Sequence, residues 1–177
     1  MLWPRARLQS VTEITPLWLR ERGLRGVILD LDNTLVPYGF YGEPPAHLVG
    51  WLEELKAAGI PLVLVSNGSR ARVGYWREKL GVLGLGPAGK PWCGFRSALR
   101  RMGLQACEVA VVGDQLFTDV LGGNLVGAYT VLVPPLSSRE LGYTRLVRRL
   151  ERFVLRVLLA EEFDPGKTRQ GPTIKKE

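Results

Sequence analysis

Four short apolar runs mark the chain: VILDL at 27–31, PLVLVS at 61–66, EVAVVG at 108–113 and TVLV at 130–133. None alternates cleanly between apolar and polar residues. Each therefore predicts a strand covered on both faces, as in a parallel sheet, rather than a strand with one wet side. A shorter run, VLGL at 82–85, predicts a fifth strand. Helix-like stretches fall between them at about 45–58, 69–80, 93–103 and 118–126, so strands and helices alternate. The expected fold is α/β: a doubly wound, mostly parallel sheet with helices on both faces.

In such sheets ligands bind beyond the carboxyl ends of the strands, near the point where strand order reverses. The polar residues at strand ends are Asp30 and Asp32, Ser66 and Asn67, and Asp114, with Lys90 in the loop GPAGKP after the weak fifth run. Two aspartates one residue apart at the end of a buried strand are costly unless a cation or a reaction uses them. If the strand ends converge, one pocket holds several carboxylates, a hydroxyl, an amide and a lysine, an inventory that suits Mg²⁺ and a phosphate. His47 is the sole histidine, so zinc is not expected, and its place after two prolines puts it in the first turn of a helix without a chemical role. A carboxylate can attack phosphorus to give an aspartyl-phosphate, and a neighbouring carboxyl can pass the proton to the departing alkoxide and later take one from water. One aspartate of the pair attacks in this reading, and the other moves the proton.

Composition narrows the picture. At 177 residues, 46% hydrophobic and 23% charged, the chain suits one ordinary globular domain. The two cysteines, Cys93 and Cys107, exclude a disulfide scaffold and are expected to be packing residues. No run is long and charge-free enough to span a bilayer, and the N-terminus has no apolar leader core, so the expected compartment is the cytoplasm. The net charge of +7 is carried by the two ends. Residues 26–138 hold nine basic and nine acidic side chains, whereas residues 1–25 carry an excess of three positive charges and residues 139–177 an excess of four. The expected organisation is a basic N-terminal segment at 1–25, a catalytic core at 26–138, a basic amphipathic helix at 139–163 packed on the core, and a flexible tail at 164–177.

The stretches DLDNTL, LVSNG, AGKP and GDQLFTD, in that order, resemble the four motifs of the haloacid dehalogenase (HAD) phosphatase superfamily. The spacings agree: 36 residues from Asp30 to Ser66, 24 to Lys90 and 24 more to Asp114. The resemblance implies Asp30 as nucleophile, Asp32 as acid and base, and Ser66, Asn67 and Lys90 on the phosphoryl group. It further implies Mg²⁺ held by Asp30, the backbone carbonyl of Asp32 and Asp114, with Asp119 in support and Thr34 fixing the loop. The gaps between motifs leave no room for a cap domain, so the site is expected to be open. The stretch GDQLFTDVLGGN and the basic C-terminal helix are similar to the YqeG subfamily of type IIIA enzymes, a group similar to phosphatidylglycerophosphate phosphatases. Two positions depart from that pattern, Gly68 where a second Asn commonly follows SN and Leu125 where an Arg commonly follows GGN.

The resulting expectation is a Mg²⁺-dependent phosphomonoester hydrolase with a lipid phosphate, phosphatidylglycerophosphate, as the favoured substrate. A soluble phosphometabolite or phosphoprotein is one alternative, and a non-catalytic binding scaffold is another. In the stretch YTRLVRRLERFVLRVLLAEE, apolar positions at helical spacing oppose a row of arginines. That predicts a helix docked on the sheet with a solvated basic face or, on the sharper reading, peripheral contact with anionic lipid at the inner face of a membrane. GLGPAG at 84–89 formally matches a dinucleotide-binding pattern, but Lys90 and Pro91 stand where a helix should already run. Nucleic acid binding has no support beyond the pI of about 9.8, and oligomeric state is not legible.

Overall fold

The computed structural model describes residues 1–137, so the helix expected at 139–163 and the tail lie outside the described residues. The elements, in chain order, are β1 (Ala6–Arg7), α1 (Pro16–Arg20), β2 (Gly26–Leu29), α2 (Ala46–Ala57), β3 (Leu62–Val65), α3 (Arg70–Leu80), β4 (Leu83–Leu85), α4 (Gly94–Met102), β5 (Val109–Gly113), α5 (Leu121–Val126) and β6 (Tyr129–Leu132). All strand pairs are parallel, in the order β1-β6-β5-β2-β3-β4.

The apolar runs explain why the sheet is covered twice. Along β2, Val27 and Leu29 point into one core while Ile28 points into the other. Leu62 and Leu64 of β3, and Ala110 and Val112 of β5, share the first side; Val63, Val65, Val109 and Val111 share the second. The period of two thus survives as a choice of core, not as a choice between core and water. Trp51, Leu52, Leu55, Trp76 and Leu80 from α2 and α3 cover one face, and Phe95 and Ala98 from α4 cover the other. Burying each Val or Leu fully is worth roughly 1.5–3 kcal/mol, which makes these central strands the stable base on which the loops stand.

The N-terminal segment, read from the sequence as a basic flank, joins the sheet. Ala6 and Arg7 pair with Val131 and Leu132 of β6. Ser10 caps the turn Val11–Glu13 with a reciprocal Glu13 contact, and Thr15 caps α1 with Pro16 at its first position. The cysteines correct a second expectation, since both Cys93 and Cys107 are exposed rather than packed. Cys93 stands at the entry of α4, and Cys107 lies in the short turn Ala106–Glu108 before β5.

β2 sits at the centre. From it the chain steps outward through β3 and β4, then returns to the other side of β2 as β5 and β6. The order reverses between β2 and β5, which opens a crevice at their carboxyl ends. Only a loop and α2 separate β2 from β3, and only α3 separates β3 from β4, so among the described residues no cap domain covers that crevice. No helix among them is long and apolar enough to cross a membrane.

Candidate active site

Asp30 leaves the end of β2, where its amide donates to the Val112 carbonyl of β5 (2.9 Å), so the carboxylate stands over the reversal point. Asn33 then takes a left-handed conformation (φ 63°), Asp32 bridges back to Val36, and the Asn33 side chain accepts from the Tyr38 amide and the Ser137 hydroxyl. An Asn tolerates that conformation better than most residues, which is why the turn can reverse so soon after the strand. The Thr34 hydroxyl, inside this turn, lies 2.9 Å from Asp30 Oδ2 and 3.4 Å from Asp114 Oδ1. Its expected role in fixing the loop is extended by this contact to the carboxylates themselves.

Lys90 arrives from the β4 side. Asn67 fixes its main chain with both ends of one amide: Oδ1 accepts from the Lys90 N–H (2.8 Å) and Nδ2 donates to the Lys90 carbonyl (3.3 Å). Asn67, expected on the phosphoryl group, thus holds the main chain of Lys90 in this structure. The Lys90 ammonium donates to Asp30 Oδ1 (2.5 Å) and Asp119 Oδ1 (2.7 Å), with all three side chains at least nine-tenths buried. Burial alone would lower the lysine pKa, but the charges of Asp119 and Asp30 outweigh it and hold the ammonium above its ordinary value.

Asp119 reaches the cluster because the chain widens after β5. Val120 N–H donates to the Gln115 carbonyl five residues back, a π-type turn at Leu116–Val120 that runs into α5. The helix expected at 118–126 is therefore two pieces. Gly113 makes room: a Cβ there would fall 2.2 Å from the Asp119 carboxyl. Burial pushes the Asp119 carboxyl up to about 6, Asp30 adds to the rise, and Lys90 opposes it.

Carboxylate oxygens of Asp30, Asp114 and Asp119 all lie within 4.8 Å of one another. Three buried acids thus gather at one rim beside a buried ammonium. A divalent cation preferring hard oxygen donors fits that donor set. Ser66 is buried at the end of β3, its hydroxyl accepting from the Gly68 amide (3.0 Å).

Asp32 lies at the mouth and is gripped by Arg72 of α3. Nε donates to Asp32 Oδ1 at 2.9 Å and an Nη lies 2.6 Å from the same oxygen. Arg72 was not legible as a site residue, yet one signal was available. It falls one turn before Trp76 on the stripe that also buries Val73 and Leu80, a position where an arginine needs a partner. Leu125, the second departure from the expected pattern, is half-buried on α5.

A doubly wound parallel sheet with acid, lysine and hydroxyl groups gathered at its reversal point defines a Rossmann-like α/β protein whose site suits a cation and a phosphate. Residues 40–127 match the model of the haloacid dehalogenase-like hydrolases, a span containing Ser66, Lys90, Asp114 and Asp119 but beginning after Asp30 and Asp32. The chain is 42% identical over 152 residues to the Bacillus subtilis protein named probable phosphatase YqeG, covering 85% of this chain and 88% of that one. It is 33% identical over 161 residues to the Arabidopsis thaliana phosphatidylglycerophosphate phosphatase 1, covering 83% of this chain but only 45% of that longer protein. Among solved structures, the cobalt-bound deoxy-D-mannose-octulosonate 8-phosphate phosphatase of Haemophilus influenzae aligns with a TM-score of 0.54 at 16% identity, over 63% of this chain and 69% of that one, and supports the fold. The chain belongs to the haloacid dehalogenase-like hydrolase family, and it is an enzyme of that family's phosphatase group.

Proposed function

We propose that the chain is a Mg²⁺-dependent phosphomonoester hydrolase that works through an aspartyl-phosphate on Asp30 and takes phosphatidylglycerophosphate as substrate. The observation that carries the chemistry is the convergence of Asp30, Asp114 and Asp119 at the sheet's reversal point, with Lys90 paired to Asp30 and Asp119. The lipid rests on relatives: besides the Arabidopsis protein, a Chlamydomonas reinhardtii phosphatidylglycerophosphate phosphatase 1 is 34% identical over 76% of this chain and 54% of its own.

In this reading Asp30 attacks phosphorus, the ester oxygen leaves with a proton from Asp32, and the phosphoryl group rests on the Asp30 carboxylate. Water then attacks the same phosphorus, gives its proton to Asp32, and frees Asp30 and inorganic phosphate. Ser66 and Lys90 hold the phosphoryl oxygens, and Lys90 is already cationic where that charge would arrive. Asp30, Asp114 and the main chain of Asp32 would hold Mg²⁺, which when bound offsets the carboxylates and draws charge from the phosphoryl group. Asp119 anchors Lys90 beside them. The open rim admits a bulky headgroup without any lid having to move.

A soluble phosphomonoester is the second reading, favoured by 34% identity over 51% of this chain to the Methanocaldococcus jannaschii glyceraldehyde 3-phosphate phosphatase. Phosphate release from phosphatidylglycerophosphate in detergent micelles, compared with a panel of soluble sugar and triose phosphates, separates the two. Asp30→Asn is expected to abolish release from every substrate that the unaltered chain cleaves. Near-normal Mg²⁺-dependent turnover by that variant would contradict the nucleophile assignment.

A further inference from the structure

Arg72 makes more contacts than an ion pair with Asp32 requires. Its Nη1 donates to the Phe40 carbonyl (2.7 Å), Nη2 reaches the Pro37 carbonyl (3.5 Å), and the guanidinium lies over the Tyr41 ring (4.9 Å). One buried cation thus holds both the carboxylate of Asp32 and the loop 37–41 that follows the Asp32 turn. Other contacts fasten this loop and the two residues after it to α3: Phe40 stacks on Trp76, the Tyr75 hydroxyl donates to the Gly42 carbonyl, and Lys79 pairs with Glu43. None of these three touches Asp32.

The grip on Asp32 is one-sided. Both guanidinium contacts fall on Oδ1. Oδ2 lies on the side of Gly68, where a Cβ would sit 3.5 Å from Asp32 Oδ2 and 3.1 Å from Ser66 Oγ. Arg72 Cδ lies 3.7 Å from the same point, so Asp32 Oδ2 and the Ser66 hydroxyl face one narrow space beside Gly68. A phosphoryl group held at Ser66 would have Oδ2, and not the arginine-bound Oδ1, on its side.

We propose that Arg72 is a positioning residue: it anchors Asp32 by Oδ1 to the loop 37–41 and so turns Oδ2 toward Gly68 and Ser66, the side from which the leaving group departs. The inference rests on the reading of Asp32 as the proton carrier, and its test keeps the two apart. A guanidinium suits this task because its planar fork serves the carboxylate and two carbonyls at once, which the ammonium of a lysine cannot do in one geometry.

The test compares leaving groups in the full chain with Mg²⁺. Phosphatidylglycerophosphate and glycerol 3-phosphate expel an alkoxide that needs a proton; 4-nitrophenyl phosphate expels an anion that hardly does. Arg72→Ala is expected to lower kcat on the alkyl esters by roughly 10- to 100-fold, a part of what general acid–base catalysis supplies, and on the aryl ester by less than about threefold. KM should move little. Asp32→Asn should show the same leaving-group sensitivity, and the double variant should be no slower on alkyl esters than Asp32→Asn alone. Added guanidinium should restore part of the alkyl-ester rate to Arg72→Ala, and chymotrypsin should cut that variant faster at Tyr38–Tyr41. Arg72→Lys, which keeps the charge and loses the fork, gives the same comparison if the alanine variant does not fold. Equal losses on both ester types in the Arg72 variants, with Asp32→Asn still sensitive to the leaving group, would overturn the positioning role alone. Equal losses in Asp32→Asn would overturn the proton-carrier reading and the inference with it.

Discussion

The two ion-paired regions of the site are built differently. Lys90, Asp30 and Asp119 form a deep cluster whose side chains are 4%, 8% and 2% exposed. Asp32 and Arg72 form a pair at the mouth, with Asp32 17% exposed and its partner tied to a loop. The deep cluster sits on the ends of β2, on the β4 loop and on the turn after β5, so the rigid sheet sets its geometry. The mouth pair depends on α3 and on loop carbonyls. Groups whose charge must be fixed are buried among opposite charges, while the group that must exchange a proton keeps contact with water. The depth of each aspartate thus matches the task proposed for it.

Removing Lys90 should break the contrast most. Lys90→Met leaves Asp30 and Asp119 buried without their cation, a change that typically costs about 3–5 kcal/mol, whereas Arg72→Ala exposes Asp32 to water and should cost roughly 1–2 kcal/mol. Urea unfolding of the chelator-treated proteins checks the difference. Asp119→Asn added to Lys90→Met should recover part of the loss. Equal costs at Lys90 and Arg72 would mean that depth does not separate the two regions.

Gly113→Ala comes next. Its Cβ would collide with the Asp119 carboxyl at 2.2 Å, so the turn after β5 must shift, at about 1–3 kcal/mol, and Lys90 loses one anchor. A fall in kcat together with the fall in unfolding midpoint is expected, and unchanged kcat would show that Asp119 is not needed to hold Lys90. The smallest effect belongs to Gly68→Ala, whose Cβ would stand 3.1 Å from Ser66 Oγ and 3.5 Å from Asp32 Oδ2. The fold should tolerate it within about 0.5 kcal/mol. KM for the bulky lipid should rise more than KM for 4-nitrophenyl phosphate, because the narrow space beside Asp32 Oδ2, and not the deep cluster, is filled.

The sheet was legible because its strands are short runs of Val, Leu and Ile with no polar face, and each expected run appears within one or two residues of the observed strand. Asp30, Ser66, Lys90 and Asp114 were legible as strand-end polar residues, since topology alone carries such residues to one rim. Three features were not. β1 is two residues long, and Ala6–Arg7 acquires its strand conformation from pairing with β6 across more than a hundred positions. The π-type turn that returns Asp119 to Lys90 depends on the space at Gly113, which no spacing rule registers. Arg72 stands among Arg70, Arg77 and Lys79, and only its place on the buried stripe of α3, forty residues from Asp32, distinguishes it.

The proposal that Asp30 carries the phosphoryl group is tested most directly by trapping it. Borohydride added during turnover reduces an acyl phosphate to the alcohol, so mass spectrometry of the peptide containing Val27–Asp32 should find homoserine at position 30 in the unaltered chain and no such product in Asp30→Asn. Homoserine at another carboxylate, or sustained turnover with no reduced residue at all, would contradict the account.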